Sequence, residues 1–306
     1  MVAVIDLQFL GRPRAIATGV IDTPAGVLLV DPGPATCLAT LDAALAQAGV
    51  GPADLRGLLL THIHLDHAGA AGTLAARYPN LTVYVHERGA PHLIDPTRLL
   101  ASAHRLYGAD MERLWGEFAP VPADRVRVLV DGETLRFGGD GIEVAYTRGH
   151  ASHHACYFDP GTGIVYAGDT AGIRLGPSQY VLPPTPPPDI DIPQWLDSLE
   201  RLQAWHPRAV FITHFGLHEW AATHFDALRA ELERWDALTA ELMAGEPDAE
   251  RRKARFIEDV RAQVAARVTP EEADAYRAAI SLDDCWAGLV RYWDRQQGAG
   301  FRPSEP

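Results

Sequence analysis

Several absences narrow the reading of this 306-residue chain before any motif does. No run approaches the roughly 20 consecutive apolar residues that cross a bilayer as a helix, so no membrane is expected as a partner. The opening MVAVIDLQFLGRPR has no basic start and carries Asp6 inside its only apolar run, which argues against a secretory leader. Cysteine is scarce. Cys37, Cys156 and Cys285 stand far apart, are odd in number and form no CxxC pair, and they read as small buried residues in a reducing cytoplasm. Positive charge is in deficit: the net charge of −13 argues against nucleic acid or an anionic surface as a partner. There is no GxSxG for a serine nucleophile, no internal repeat, and no low-complexity segment beyond one proline run.

What is present is an ordinary globular composition, 47% hydrophobic and 22% charged, in a chain long enough for one large domain or two. The first third is rich in strands. AIATGVIDT (15–23) and GVLLVDPG (26–33) predict a hairpin, and Leu38, Leu41, Leu45 and Ala48 have helical spacing over 35–50. LRGLLLT (55–61) is a continuous apolar run, as expected of a strand covered on both faces. A helix over 68–78 and a strand over 81–86 follow. From 91 to 118 apolar residues, among them Tyr107, Trp115 and Phe118, recur mostly at three- and four-residue steps. Strands are expected at 125–130, 133–137, 142–147, 154–158 and 163–169. The segment GPSQYVLPPTPPPDIDIP (176–193) is too proline-rich for a helix or a central strand. A helix at 195–205, a strand and loop at 209–216, and nearly continuous helix from 219 to 296 complete the pass.

One stretch stands out. THIHLDHAG (61–69) places three imidazoles and a carboxylate directly after the buried run Leu58-Leu59-Leu60. Alternate side chains of an extended segment share a face, so His62 and His64 point the same way. A turn into the next helix lets Asp66 and His67 face a neighbouring point. Two adjacent pairs suggest two metal positions, each needing about four to five ligands. Further candidates sit at the ends of later strands: His150 in TRGHASHH, Asp169 in YAGDTAG and His214 in FITHFG.

The ordered set HIHLDH, GH, AGD and THFG, preceded by the strand-ending Asp31 of LLVDPG, resembles the metallo-β-lactamase superfamily over roughly residues 10–220. That resemblance implies a four-layer αβ/βα sandwich, here a domain over 1–222 with a helical, lid-like insertion about 91–118 and a helical extension over 223–306. It assigns His62, His64 and His150 to one metal, Asp66, His67 and His214 to the other, and Asp169 to both. Asp66 and Asp169 are also the candidate catalytic residues, and Asp31 corresponds to a structural aspartate that is not a ligand. Two divalent ions are implied. The cysteine-free set favours zinc, although imidazole and carboxylate also suit iron, manganese or cobalt. Paired ions would make hydroxide available at neutral pH, so hydrolysis is the expected chemistry.

Departures from the family's patterns narrow the substrate. His67 and Asp169 distinguish the chain from the zinc β-lactamases with a cysteine ligand. Its charge sets it apart from the nucleases. It resembles glyoxalase II in its ligand set, although the cluster Arg251-Arg252-Lys253-Ala254-Arg255 reads as a solvated helix face rather than a grip on glutathione. Acyl homoserine lactonases carry a tyrosine three residues after the bridging aspartate. Here that position is Gly172, and Tyr180 is the candidate replacement. The expected activity is attack on a small ester, lactone or thioester. Phosphotriester or phosphodiester hydrolysis and a mononuclear-iron sulfur dioxygenase are the alternatives. A small, neutral, partly apolar substrate fits if the aromatic stripe of 91–118 is a lid; a structural cap is the competing reading. His153 and His154 are either partners that orient His150 or solvated residues. Trp286, Tyr292 and Trp293 are assigned to core or to a homodimer contact.

Overall fold

Residues 3–300 are described by the computed structural model. The apolar runs near the N-terminus build one sheet: β1 (Ala3–Asp6), β2 (Ala17–Thr23) and β3 (Gly26–Val30), then, beyond helix α1 (Leu38–Gln47), β4 (Leu55–Leu59). The short α2 (Leu65–Ala68) and α3 (Ala71–Arg77) lead to β5 (Thr82–Val85). Helices α4 (Ala90–Ile94), α5 (Thr97–Tyr107) and α6 (Met111–Trp115) precede β6 (Val126–Val128), which closes the sheet. The second sheet contains β7 (Thr134–Leu135), β8 (Ile142–Tyr146), β9 (Ala155–Asp159) and β10 (Ile164–Tyr166). After α7 (Ile192–Gln203) it is completed by β11 (Ala209–Ile212) and β12 (Gly216–Glu219). Four helices complete the described residues: α8 (Ala221–Gly245), α9 (Ala249–Arg267), α10 (Pro270–Ala279) and α11 (Leu282–Gly300).

Each sheet has six strands, ordered β1-β2-β3-β4-β5-β6 and β12-β11-β10-β9-β8-β7. Both are mixed: β3 to β6 run parallel, as do β10 and β11, and the remaining pairs are antiparallel. The continuous apolar runs are explained by burial on both faces. Leu28, Val30 and Leu59 point inward to Tyr157, Tyr166 and Phe211 of the other sheet. Leu29, Leu58 and Val83 point outward beneath Leu41, Leu45 and Leu74 of the helices. On the far side the second sheet shares one core with Trp195, Phe225, Trp235, Phe256 and Trp286. This is the expected four-layer sandwich, with helices outside two facing sheets.

Three details differ from the sequence reading. The strands expected at 125–130 and 133–137 shrink to Val126–Val128 and Thr134–Leu135. The edge strand β12 went unpredicted because Leu217 and Glu219 are exposed and leave no buried alternation to detect. The helix expected over 91–118 is broken at Asp95-Pro96 and at Gly108 and ends before Gly116, and Trp115 and Phe118 are buried in core with Leu93, Met111 and Val121. Those two aromatics act as a cap on the first sheet. Trp286 and Tyr292 are likewise core, and Trp293 donates to Asp236 at 3.0 Å. All three cysteines are free and buried. Among the described residues no helix is long and apolar enough to cross a membrane.

Candidate metal centre

The parallel strand β4 lies between β3 and β5, so its C-terminal end opens near the middle of the first sheet. His62 and His64 leave that end, and α2 turns Asp66 and His67 back toward it. From the second sheet, Asp169 follows β10, His214 follows β11, and His150 lies between β8 and β9. The fold thus brings all seven predicted residues together. His62, His64, His150 and Asp169 form one group and Asp66, His67 and His214 another, with donor atoms inside each group within 4.8 Å of one another. Asp169 reaches both. Its Oδ2 lies 3.4 Å from His150 Nε2, and its Oδ1 lies 3.4 Å from His67 Nε2 and 3.6 Å from His214 Nε2.

The hydrogen-bond network assigns the imidazole tautomers. His150 Nδ1 donates to the Pro184 carbonyl and His214 Nδ1 to the Ala15 carbonyl, both at 2.9 Å. His67 Nδ1 donates to Asp31 Oδ2 at 2.8 Å. Thr61 gives its hydroxyl proton to Asp31 at 2.7 Å, so its oxygen accepts from His62 Nδ1 at 3.1 Å. His62 and His150 therefore present bare Nε2 lone pairs to the interior, while His67 and His214 turn their Nε2 atoms toward the Asp66 and Asp169 carboxylates. His64 turns its Nδ1 in instead, 2.8 Å from His62 Nε2 and 3.2 Å from His150 Nε2.

In their neutral forms these three nitrogens can share only the one proton of His64, and a cation between them would satisfy all three. Buried His67 Nε2 and Asp169 Oδ1 have no hydrogen-bond partner, although each faces the other group's donors. Burial, reinforced by neighbouring imidazoles, holds His62 well below its ordinary pKa and pushes His64 down to about 3. Burial also lowers His150. These three rings are neutral, the form that ligates metals. Burial works against charge at His67 and His214 too, but the Asp169 and Asp66 carboxylates outweigh it and raise both. Burial likewise opposes ionisation of Asp66 and Asp169, and His67 and His214 overcome it and hold both below the usual carboxylate range. Imidazole and carboxylate donors in two sets sharing one carboxylate fit a pair of divalent ions.

Beneath the groups lies a support centred on Asp31, the structural aspartate of LLVDPG. Asp31 adopts φ 51°, a left-handed turn, and its carboxylate is fully buried. It accepts from Thr61 N, the Thr61 hydroxyl, His67 Nδ1 and the Thr213 hydroxyl, all at 2.7–2.8 Å. The structural role expected of Asp31 agrees with this geometry; Thr61 and Thr213 were missed because threonine at a strand end carries no distinctive signal. Gly168 is required sterically, since a Cβ there would lie 2.5 Å from Thr61 Oγ1.

Other expectations fall out unevenly. His154 is buried, stacks on His62 with centroids 4.9 Å apart, and pairs through Nδ1 with Thr147 Oγ1 at 3.0 Å. His153 lies edge-on to His64 at 5.8 Å. Both border the candidate ligand rings, His154 buried and His153 partly exposed. Tyr180 does not take the place of the lactonase tyrosine: it is buried against Tyr276, far along the loop among the C-terminal helices, with Arg267 over its ring. The Arg251–Arg255 cluster lies on α9, where Arg251 and Arg255 are exposed and Lys253 pairs with Glu250.

Two facing mixed sheets with histidines and aspartates gathered at their strand ends define a metal-binding α/β sandwich. A family model described as the metallo-beta-lactamase superfamily matches residues 11–215, and the chain belongs to that superfamily. It is 30% identical over 164 residues to the metallo-beta-lactamase fold-containing protein ST1585 of Sulfurisphaera tokodaii, covering 52% of this chain and 60% of that one. It is 29% identical over 143 residues to a hydroxyacylglutathione hydrolase of Aeromonas hydrophila, covering 47% of this chain and 41% of that protein. The chain spans about half the length of the curated relatives it matches. The solved metallo-beta-lactamase family protein TTHA1429 of Thermus thermophilus superposes with a TM-score of 0.68 at 24% identity, covering 93% of this chain and 89% of that one. At that identity the likeness concerns the fold.

Proposed function

We propose that this chain is a metal-dependent hydrolase that holds two divalent ions and cleaves a small ester, lactone or thioester. The observation that carries the reading is the division of seven donors into two groups that meet on the two oxygens of Asp169. Zinc is the ion we assign, because the donors are nitrogen and oxygen without a thiolate, although iron, manganese and cobalt accept the same set. Bound ions would supply Lewis acidity and a nucleophilic water at neutral pH.

The chain's own groups do the rest. Neutral His62, His64 and His150 offer lone pairs to the first position without competing protons. Asp169 is nearly buried and ties the positions to a common centre. Asp66, with its side chain 25% exposed, is the carboxylate that meets solvent. Held ionised by His67 and His214, it orients a water by accepting its proton in a hydrogen bond. The net charge of −13 disfavours approach of a dianion. Similarity to hydroxyacylglutathione hydrolases supports the thioester among the carboxyl substrates. Tyr107, half-buried with its ring edge on Trp115, leaves one aromatic of the insertion to contact a partly apolar substrate.

Turnover of a substrate panel by zinc-loaded protein tests the proposal. Thioesters, lactones and neutral esters are expected to react fastest, neutral phosphotriesters more slowly and phosphomonoesters least. Fastest cleavage of phosphomonoesters or phosphodiesters, with the carboxyl substrates untouched, would contradict it. So would a single iron with oxygen uptake on a persulfide.

A further inference from the structure

The segment 173–191, between Asp169 and α7, has hardly any sheet of its own. A single bridge joins Ile173 and Leu182, and much of the rest is held from outside. Tyr276 of α10 receives a hydrogen bond from Leu175 N at 3.2 Å and donates its hydroxyl to Tyr180 O at 2.8 Å. Further along, the buried Thr185 hydroxyl donates to the Cys285 carbonyl of α11 at 3.1 Å. Backbone meets backbone at Gly288, one turn on. A Cβ there would lie 2.0 Å from the Thr185 carbonyl oxygen and 2.8 Å from the Pro186 carbonyl carbon. The helix thus meets the loop with bare backbone.

The opposite side of the same loop touches the candidate metal centre. Pro184, the neighbour of Thr185, supplies the carbonyl that accepts from His150 Nδ1 at 2.9 Å. That bond leaves Nε2 as the lone pair and fixes the ring plane. Asp189 also accepts from Ser152 N at 3.2 Å and from the Ser152 hydroxyl at 2.5 Å, tying the loop to the segment that carries His150. The His67 and His214 rings are held differently: their Nδ1 atoms bond to Asp31 and to Ala15 O, and the loop meets His214 at its backbone, where Arg174 N donates to the His214 carbonyl at 2.7 Å.

We propose that Gly288 and Thr185 are positioning residues for the first metal position. Helix α11 sets where the Pro184 carbonyl stands, and through it aims His150, while the position built from Asp66, His67 and His214 is held without α11. The proposal rests on the two-ion reading above. Groups that orient a metal-bound imidazole commonly change metal affinity by about 10- to 100-fold when removed.

The test measures metal binding on the full chain by chelator competition and elemental analysis, with circular dichroism and melting temperature alongside. Gly288→Ala is expected to keep one tightly held ion and to weaken the other about 10- to 100-fold. Thr185→Val should act in the same direction less strongly, and it carries the test if the alanine variant does not fold. Gly245→Ala, where a Cβ meets nothing within 4 Å, should retain both ions at wild-type affinity. In a His150→Ala background, Thr185→Val should cause no further loss. Folded Gly288→Ala and Thr185→Val proteins that bind both ions as the wild type does would overturn the inference while leaving the two-ion reading intact. Equal weakening of both ions would overturn it too. Wild-type protein that takes up no second ion would remove the reading and the inference together.

Discussion

The two donor groups sit side by side but are supported by different parts of the chain. His67 hangs on Asp31, and Asp31 is gripped by Thr61 and Thr213, so both sheets contribute strand ends to one buried cluster. His150 hangs on a carbonyl in an irregular proline-rich loop, which is in turn fastened to α11. One support is local to the sandwich, and the other runs through the C-terminal helices. A shared carboxylate, Asp169, joins two positions whose stabilities have separate origins.

That contrast can be broken from the middle outward. The largest effect is expected at Asp169 itself. Asp169→Ala removes the ligand common to both groups, so turnover should fall by more than the roughly 100-fold typical of an orienting group, with both ions weakened. Loss of only one ion would mean that Asp169 serves one position. Asp31→Ala comes next. It strands four buried donors, and removing one partner of a buried ionic cluster costs about 3–5 kcal/mol, measurable by denaturant unfolding. Because His67 loses its anchor, the ion held by Asp66, His67 and His214 should weaken more than its neighbour. An equal loss would erase the distinction between the two supports.

Smaller changes sharpen the same comparison. Thr213→Val deletes one of the donors to Asp31 and should cost about 1–2 kcal/mol of stability while both ions remain. Loss of an ion in that variant would give the threonine a larger role than a single hydrogen bond. The smallest effect is expected at Tyr180→Phe. Its hydroxyl is buried with no partner, so its removal should shift stability by less than about 1 kcal/mol and leave turnover unchanged. A large drop in kcat would return Tyr180 to the catalytic site.

How much of this was legible in the sequence divides along the same line. The donors could be read because metal ligands are chemically rare types at strand ends, and the double-sided apolar runs around 26–30 and 55–60 marked the central strands. Of the supports, only Asp31 could. Thr61, Thr213 and the Pro184 carbonyl are ordinary groups that acquire meaning only when distant segments meet. Trp115 and Phe118 show the converse: an aromatic stripe at helical spacing fits a lid and a cap equally, and only the fold places both beneath the first sheet. Gly288 carries no signal of its own in the sequence; the Thr185 carbonyl, 2.0 Å from where a Cβ would stand, gives it meaning.

Metal content of the purified wild-type protein after zinc loading and removal of free ion tests the central claim most directly. The two donor groups predict two ions per chain, with His62→Ala and His214→Ala each retaining one. A wild-type chain that holds a single ion, lost equally in both variants, would contradict a centre built from two positions.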